Sequence, residues 1–355
     1  MNKSTNKSTP RKQEHKDNRL PKLGFLGAGW IGRHRLECIA KSAAGEITAI
    51  CDSSAACVEK VVEAFPNIEV AECFDELLQA DLDGIVIATP SALHAEQSIQ
   101  ALQKGFAVFC QKPLGRNVVE VASIICAAQA VNRLLGIDLS YRFTEGMRQV
   151  QHAIAAGIIG EVYACDLTFH NAYGPDKAWF YDPKLSGGGC VMDLGVHLVD
   201  LALWTLDFPS IHRVTGKLFA SGRPIEQPST QVEDYGMATI ELSSGAVIRL
   251  ACSWKLPIGR DADISATFYG SRGGLAFHNV NGSFYDFVAE RFSGTSRTIL
   301  SSPPDNWGGR ATVAWATQLR QNPGFDPEVL HAIKVAAVLD AIYFTEETPA
   351  IAKAA

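Results

Sequence analysis

The stretch that most constrains this chain is a glycine turn, Gly27-Ala28-Gly29-Trp30-Ile31-Gly32, set between the short apolar strand Lys22–Leu26 and a helical pattern over 30–40. Each glycine has a physical task in that setting. Gly27 permits the tight turn, Gly29 lets the backbone approach a pyrophosphate, and Gly32 allows close helix–strand packing. The helix that follows presents unpaired N–H groups to phosphate oxygens. A second strand over 47–51 ends at Asp52, twenty residues beyond Gly32, where a carboxylate accepts hydrogen bonds from an adenosine ribose and repels a 2′-phosphate. Ser53 and Ser54 place no guanidinium there, which favours NAD; Arg33 and Arg35, just inside the first helix, keep NADP open. The competing reading makes Asp52 a cap for the next helix, over 55–64.

Apolar strands and helical patterns then alternate. Strands over 68–71, 84–88, 106–110 and 134–138 are separated by helices over 75–79, 94–104 and 118–132. Repetition of this kind predicts an α/β fold with a doubly wound parallel sheet, right-handed crossovers, and ligands at the carboxyl ends of the strands. Thr89-Pro90 and Gln111-Lys112-Pro113 both occupy such ends, on the side expected for the nicotinamide half of the cofactor. Lys112 reads as a fixed cation that binds a substrate hydroxyl and stabilises an alkoxide as it forms, or as a solvated loop lysine beside a proline. His94 begins a helix near the cofactor or is merely helix-terminal. Trp30 packs over the cofactor or covers its own helix.

From Leu139 the pattern changes, so the chain divides into a polar tail over 1–20, a dinucleotide-binding domain over 21–138 and a second domain over 139–355. The second domain opens with a helix over 145–156 and a strand over 161–170. An aromatic loop, 171–184, contributes Tyr173 and Trp179 to a candidate substrate pocket, with Arg142, His170 and Asn171 beside them. Alternating segments over 211–220, 232–242, 246–254, 264–269 and 274–278 predict an open, largely antiparallel sheet. The Gly/Ser/Pro-rich stretch 281–309 predicts no regular element, and 327–345 predicts an amphipathic helix. Between them, three glycines lead into a helix over 186–206, on which Asp193, His197 and Asp200 share one face at i, i+4 and i+7. Such a face is costly to bury without partners. It is a metal site, an internal network in which Asp200 is the structural member, or one wall of a polar cleft.

Net charge of −6 gives no electrostatic footprint for nucleic acid or an anionic membrane surface, and no apolar run reaches the roughly 20 residues of a spanning helix. The nine cysteines are scattered without a C-x-x-C pair, which points away from disulfides and structural zinc and suits a reducing, cytoplasmic setting.

Taken together, Gly27-x-Gly29-x-x-Gly32, Ala88-Thr89-Pro90-Ser91-x-x-His94, Lys112-Pro113, and Ser186-Gly-Gly-Gly-x-x-x-Asp193-x-Gly195-x-His197-x-x-Asp200 resemble the Gfo/Idh/MocA family of NAD(P)-dependent oxidoreductases over essentially the whole ordered chain. The resemblance implies an N-terminal Rossmann domain and a C-terminal α/β domain whose open sheet makes the oligomer contact, as a homodimer or homotetramer. It implies a small-molecule sugar, inositol or related polyol as substrate, and no metal is expected. Lys112, Asp193 and His197 match the family's catalytic constellation. His197 then acts as general base on a secondary alcohol, suited by an ordinary pKa of about 6.5, Lys112 binds the reacting oxygen, and Asp193 holds substrate or imidazole. One departure is Gln111, where the family has Glu; it keeps the shape and removes a negative charge beside Lys112. Two other readings remain: an NAD-dependent glycoside hydrolase with no net redox change, and a non-catalytic dinucleotide-binding regulator.

Overall fold

The computed structural model describes residues 19–228 and 230–344. Its first layer is a parallel sheet of β1 (Lys22–Leu26), β2 (Glu46–Cys51), β3 (Glu69–Val70), β4 (Gly84–Ile87), β5 (Ala107–Cys110) and β6 (Leu135–Ile137), ordered β3-β2-β1-β4-β5-β6. The connections are α1 (Trp30–Ser42), α2 (Ala55–Ala64), α3 (Phe74–Leu77), α4 (Ser91–Gln103) and α5 (Val118–Ala130). Strand alternation sorts the side chains to two helical layers. Phe25, Ile50, Val86 and Phe109 meet Leu36 and Ile39 of α1, while Leu26, Cys51, Ile87 and Cys110 meet Leu102 of α4 and Ile124 of α5. With both faces covered, β4 and β5 are buried at every position, as their unbroken apolar runs require. The strand order reverses between β1 and β4, which opens a crevice at their carboxyl ends.

The second layer is a nine-stranded mixed sheet of β7 (Val162–Asn171), β8 (Ile211–Ala220), β9 (Arg223–Pro224), β10 (Tyr235–Leu242), β11 (Val247–Ser253), β12 (Ala262–Gly270), β13 (Gly273–Asn279), β14 (Phe287–Ser293) and β15 (Ser296–Ser301). All its pairings are antiparallel except β7 with β11. The remaining helices are α6 (Glu145–Ala155), α7 (Pro183–Ser186), α8 (Val196–Thr205), α9 (Arg310–Gln321) and α10 (His331–Tyr343). Helices α6, α8 and α10 supply Val150, Val199 and Leu339 to the core on one face of this sheet. The other face stays open and exposes Tyr163, Met237, Tyr269 and Ile299.

Several expectations need correction. The stretch 281–309 contains the hairpin β14–β15, hidden in the sequence because only Phe287 and Ala289 of β14 reach the core, while Glu290, on the open face, is buried and held by Arg297 at 3.3 Å. Helix α9 follows the second sheet in sequence yet packs on the first. Its Trp315 fits over β4 and β6 because both carry glycine there: a Cβ on Gly84 or Gly136 would come within 2.8 or 2.7 Å of the indole. The segment 327–345 begins as a 3-10 turn, Pro327–Leu330, before α10, and Thr345 lies outside the described residues. The tail expected over 1–20 likewise lies outside them, apart from Arg19 and Leu20. Among the described residues no helix is long and apolar enough to cross a membrane.

Candidate active site

The glycine turn sits at the switch point between β1 and β4. Gly27 has φ +94°, and a Cβ on Gly32 would come within 2.1 Å of the Gly27 carbonyl oxygen, so both positions exclude any other residue. Gly29 differs: a Cβ there would meet nothing within 4 Å, and no side chain caps α1. The amino end of α1 therefore looks into open space, the arrangement a pyrophosphate needs. Trp30 is 63% exposed beside it, stacked on His34 with centroids 6.0 Å apart, and Ile31 is half-buried. Asp52 accepts from the Ala28 amide and, at 2.7 Å, from the Ser54 amide, so it braces the turn; the N-cap of α2 is Ser54, not Asp52.

Two strand ends converge beside this turn. His94 is fully buried, with Nδ1 2.7 Å from the Pro113 carbonyl and Nε2 2.8 Å from the Thr89 carbonyl. That corrects its assignment to cofactor binding: both ring nitrogens lie against protein carbonyls, and the neutral ring donates to one of them, between the Thr89-Pro90 and Lys112-Pro113 turns. Burial lowers its pKa, against the two carbonyls. Thr89 Oγ1 donates to Gln97 at 2.6 Å, and Pro90 caps α4. Gln111 is also buried, and its amide donates to Asp138, which pairs with Arg35 at 2.6 Å. Since Arg35 and Asp138 are both buried, this arginine is a scaffold cation and not a reader of a 2′-phosphate.

Lys112 reaches across to the second domain. Its Nζ donates to Asp193 Oδ1 at 2.6 Å and to the Asp193 backbone carbonyl at 2.9 Å. The Trp254 indole donates to the other carboxylate oxygen at 3.1 Å. Lysine and aspartate side chains keep 21% and 15% of their surface exposed, so the pair faces an accessible space. Asp193 lies in a widened π turn, Val191–Gly195, of a kind found often at functional sites. The expectation that Asp193 holds the imidazole is corrected, because its carboxylate is committed to Lys112 and Trp254. His197, first turn of α8, instead packs edge-on against Tyr141 (4.9 Å between centroids) and against Phe169 (6.3 Å). It has no hydrogen-bond partner among the described residues. Burial, then the charges of Lys112 and Arg35, hold its pKa well below the ordinary value, so the ring is a neutral proton acceptor.

The shared polar face of the 186–206 helix does not form. Its α8 portion is buried almost all round, and Asp200, 2% exposed, is neutralised by Arg142, whose Nε lies 2.7 Å from it. Arg142 also lies over Phe208 at 5.4 Å and Trp204 at 5.9 Å, so it anchors a core and does not line a substrate pocket. His170 is corrected too: alternation along β7 turns Phe169 toward His197 and His170 to the opposite face, where it stacks on Tyr235. Tyr173 is 59% exposed, donates to Asp261 at 2.6 Å and lines a cleft along 255–261 of about 430 Å³, which Lys112, Asp193 and His197 do not line. Trp179 stacks on Phe180 at 3.8 Å, and Phe180 meets Trp254 edge-on at 6.1 Å, which places it two rings from Asp193. Sequence reasoning missed Trp254, Tyr141, Asp138, Glu233 and Tyr343; each acts across a long sequence separation and carries no local signature.

Two family models match. One, described as an oxidoreductase family with an NAD-binding Rossmann fold, covers residues 22–139; the other, the GFO/IDH/MocA C-terminal domain, covers residues 147–276. Among curated proteins, the D-glucoside 3-dehydrogenase of Escherichia coli (strain K12) is 25% identical over 85% of this chain and 88% of its own. The inositol 2-dehydrogenase of Rhizobium meliloti (strain 1021) is 26% identical over 73% of this chain and 76% of its own. In fold the chain is similar to the 3-ketoreductase KijD10 of Actinomadura kijaniata, solved with NADP and TDP-benzene, at TM-score 0.79, with 21% identity, 91% of this chain and 97% of the other covered. The chain belongs to the Gfo/Idh/MocA family of oxidoreductases, and its first domain is the NAD-binding Rossmann fold of that family.

Proposed function

We propose that the chain transfers hydride between NAD(P) and a secondary alcohol of a sugar, inositol or related polyol, with Lys112 and His197 as its catalytic residues. The observation that carries this reading is the pairing of an accessible Lys112–Asp193 ion pair with an unpartnered, neutral His197. At the open amino end of α1 the Gly27, Gly29 and Gly32 backbone would hold the dinucleotide's pyrophosphate and Asp52 its ribose, and the dinucleotide would supply the hydride acceptor. The protein's own groups do the rest. His197 takes the hydroxyl proton as the C–H bond breaks and returns it in the reverse direction. Lys112 donates to the same oxygen and stabilises its negative charge, and its charge, after burial, helps to keep the resting imidazole uncharged. Asp193 aims the ammonium from the opposite domain, so it is a positioning residue, with Trp254 holding its second oxygen.

The relatives named above act on a glucoside and an inositol, which supports a polyhydroxylated ring as the substrate class. The test is a spectrophotometric screen of sugars, inositols and sugar acids with NAD and with NADP. In whichever substrate is turned over, Lys112→Ala and His197→Ala should each slow turnover by about 10²–10³-fold, the size of losing one preorganised charge donor or proton-transfer group. NAD binding, followed by fluorescence, should survive both changes. Full turnover in both variants would refute the assignment. Cleavage of a nitrophenyl glycoside without consumption of free NAD would favour the hydrolase reading instead.

A further inference from the structure

Glu233 is fully buried, 0% exposed, and lies outside every motif considered so far. Its carboxylate accepts from the Gly189 amide at 3.0 Å, the Val191 amide at 2.8 Å and the Tyr343 hydroxyl at 2.7 Å. Its backbone carbonyl accepts from the Cys190 amide at 3.0 Å. Tyr343 in turn accepts from the Met192 amide at 3.1 Å. Four consecutive amides, 189 to 192, thus end on this pair of residues. They are first-turn donors of the helix that carries Asp193 and His197, and a buried helix start must find acceptors for them.

The glycines explain how closely the clamp seats. A Cβ on Gly188 would stand 2.1 Å from the Tyr343 hydroxyl, and one on Gly189 would stand 1.9 Å from the Glu233 carbonyl oxygen. Gly188 and Gly189 are therefore space vacated for the clamp, whereas Gly187, at φ +85°, lies against Arg116. All three partners of the Glu233 carboxylate are donors, so the ionised form fits, whereas a neutral amide would set an NH2 against an N–H or O–H. Burial pushes the carboxyl above its ordinary value, and the Tyr343 hydroxyl and the two amides oppose that by favouring the ionised form. No cation pairs with it among the described residues; the positive end of the helix takes that place.

We infer that Glu233, with Tyr343, is the positioning residue of the second half of the active site: it fixes the turn from which Asp193 reaches Lys112. The inference rests on the proposed role of the Lys112–Asp193 pair. A substrate-free probe reads it, namely the indole N–H resonance of Trp254, which donates directly to Asp193. In full-length protein labelled with 15N at its six tryptophans, Trp254→Phe assigns that cross-peak, and Asp193→Ala marks its upfield position once the acceptor is lost. Glu233→Gln should shift the Trp254 peak toward the Asp193→Ala position while the Trp315 peak, on α9 against the first sheet, stays in place. A folded Glu233→Gln protein with an unmoved Trp254 peak would overturn the inference. If that variant does not fold, Tyr343→Phe decides in the same way, with a smaller shift expected in the same direction. Because the peak is read without turnover, full turnover in both Lys112→Ala and His197→Ala would overturn the catalytic reading and leave this measurement standing.

Discussion

Two glycine-rich turns lead this chain into the helices that carry its site, and they are filled in opposite ways. At the first turn a Cβ on Gly29 would meet only open space, and α1 has no side-chain cap. At the second, Gly188 and Gly189 are pressed against Tyr343 and Glu233, and the protein's own carboxylate occupies the helix start. Both helices present the same positive end. One leaves it for a ligand's anion, and the other has satisfied it internally. A run of glycine before a helix is therefore evidence of a phosphate cradle only where the space above it stays open.

The comparison breaks most readily at Gly189. Gly189→Ala puts a methyl group 1.9 Å from a carbonyl oxygen that belongs to the clamp and cannot swing away. The expected loss is about 3 kcal/mol, at the upper end for overpacking a rigid site, measured as the urea midpoint and slope. A loss within about 1 kcal/mol would show that the second turn is as open as the first. At Gly29 the opposite split is expected. Gly29→Ala should leave stability within about 0.5 kcal/mol, because nothing is displaced. NAD affinity should fall by about tenfold, or 1.4 kcal/mol, as the methyl group occupies the approach to the helix start. Titration calorimetry giving equal NAD affinity would remove the first turn from the binding site.

The same contrast explains what the sequence could and could not disclose. The first half of the site is assembled from neighbours: the glycine turn, Asp52 and the ends of β4 and β5 come from βαβ units whose periodicity fixes their direction. Hence the sheet, the switch point and the place of Lys112 were legible in advance. The second half is assembled from residues far apart, since Glu233 meets Gly189 across 44 positions and Tyr343 across 110. Spacing on the 186–206 helix puts Asp193 and His197 on one side but says nothing of their neighbours. An i,i+4 pattern shows which residues share a helix side, not that Lys112 and Trp254 arrive to claim the carboxylate. Arg142 was misplaced for the same reason, because nothing local reveals that Asp200 needs a buried cation.

Filling the second turn also buries the helix behind it, and that has a pH signature. His197 is held neutral by burial and nearby cations, so its folded pKa lies below its unfolded value of about 6.5. The unfolded chain therefore binds a proton that the fold refuses, and stability falls as pH drops through that value toward the lower folded pKa. His94 and His170 shift in the same direction, so the decline belongs to several groups. In His197→Gln the urea midpoint should fall less steeply between neutral pH and pH ~5 than in the parent protein. An unchanged slope would mean that His197 already takes up its proton in the folded state.

The smallest effect is expected on the open turn, at Asp52. Its two oxygens already brace Ala28 and Ser54, yet a carboxylate has about four acceptor positions, so acceptance from a ribose hydroxyl remains available. Loss of that bond is worth about 1 kcal/mol, roughly fivefold in affinity. Asp52→Ala should weaken NAD by about that factor and affect NADP less, because the carboxylate that repels a 2′-phosphate is gone. The gap should narrow rather than invert: Arg35 is tied to Asp138, and Arg33, with Nε 3.6 Å from Glu37, is the guanidinium left in the first turn of α1. Binding of both dinucleotides to the variant, followed by quenching of tryptophan fluorescence, measures the gap directly. An unchanged ratio would confine Asp52 to bracing the turn, and the open space above Gly29 would then select a phosphate without selecting the sugar behind it.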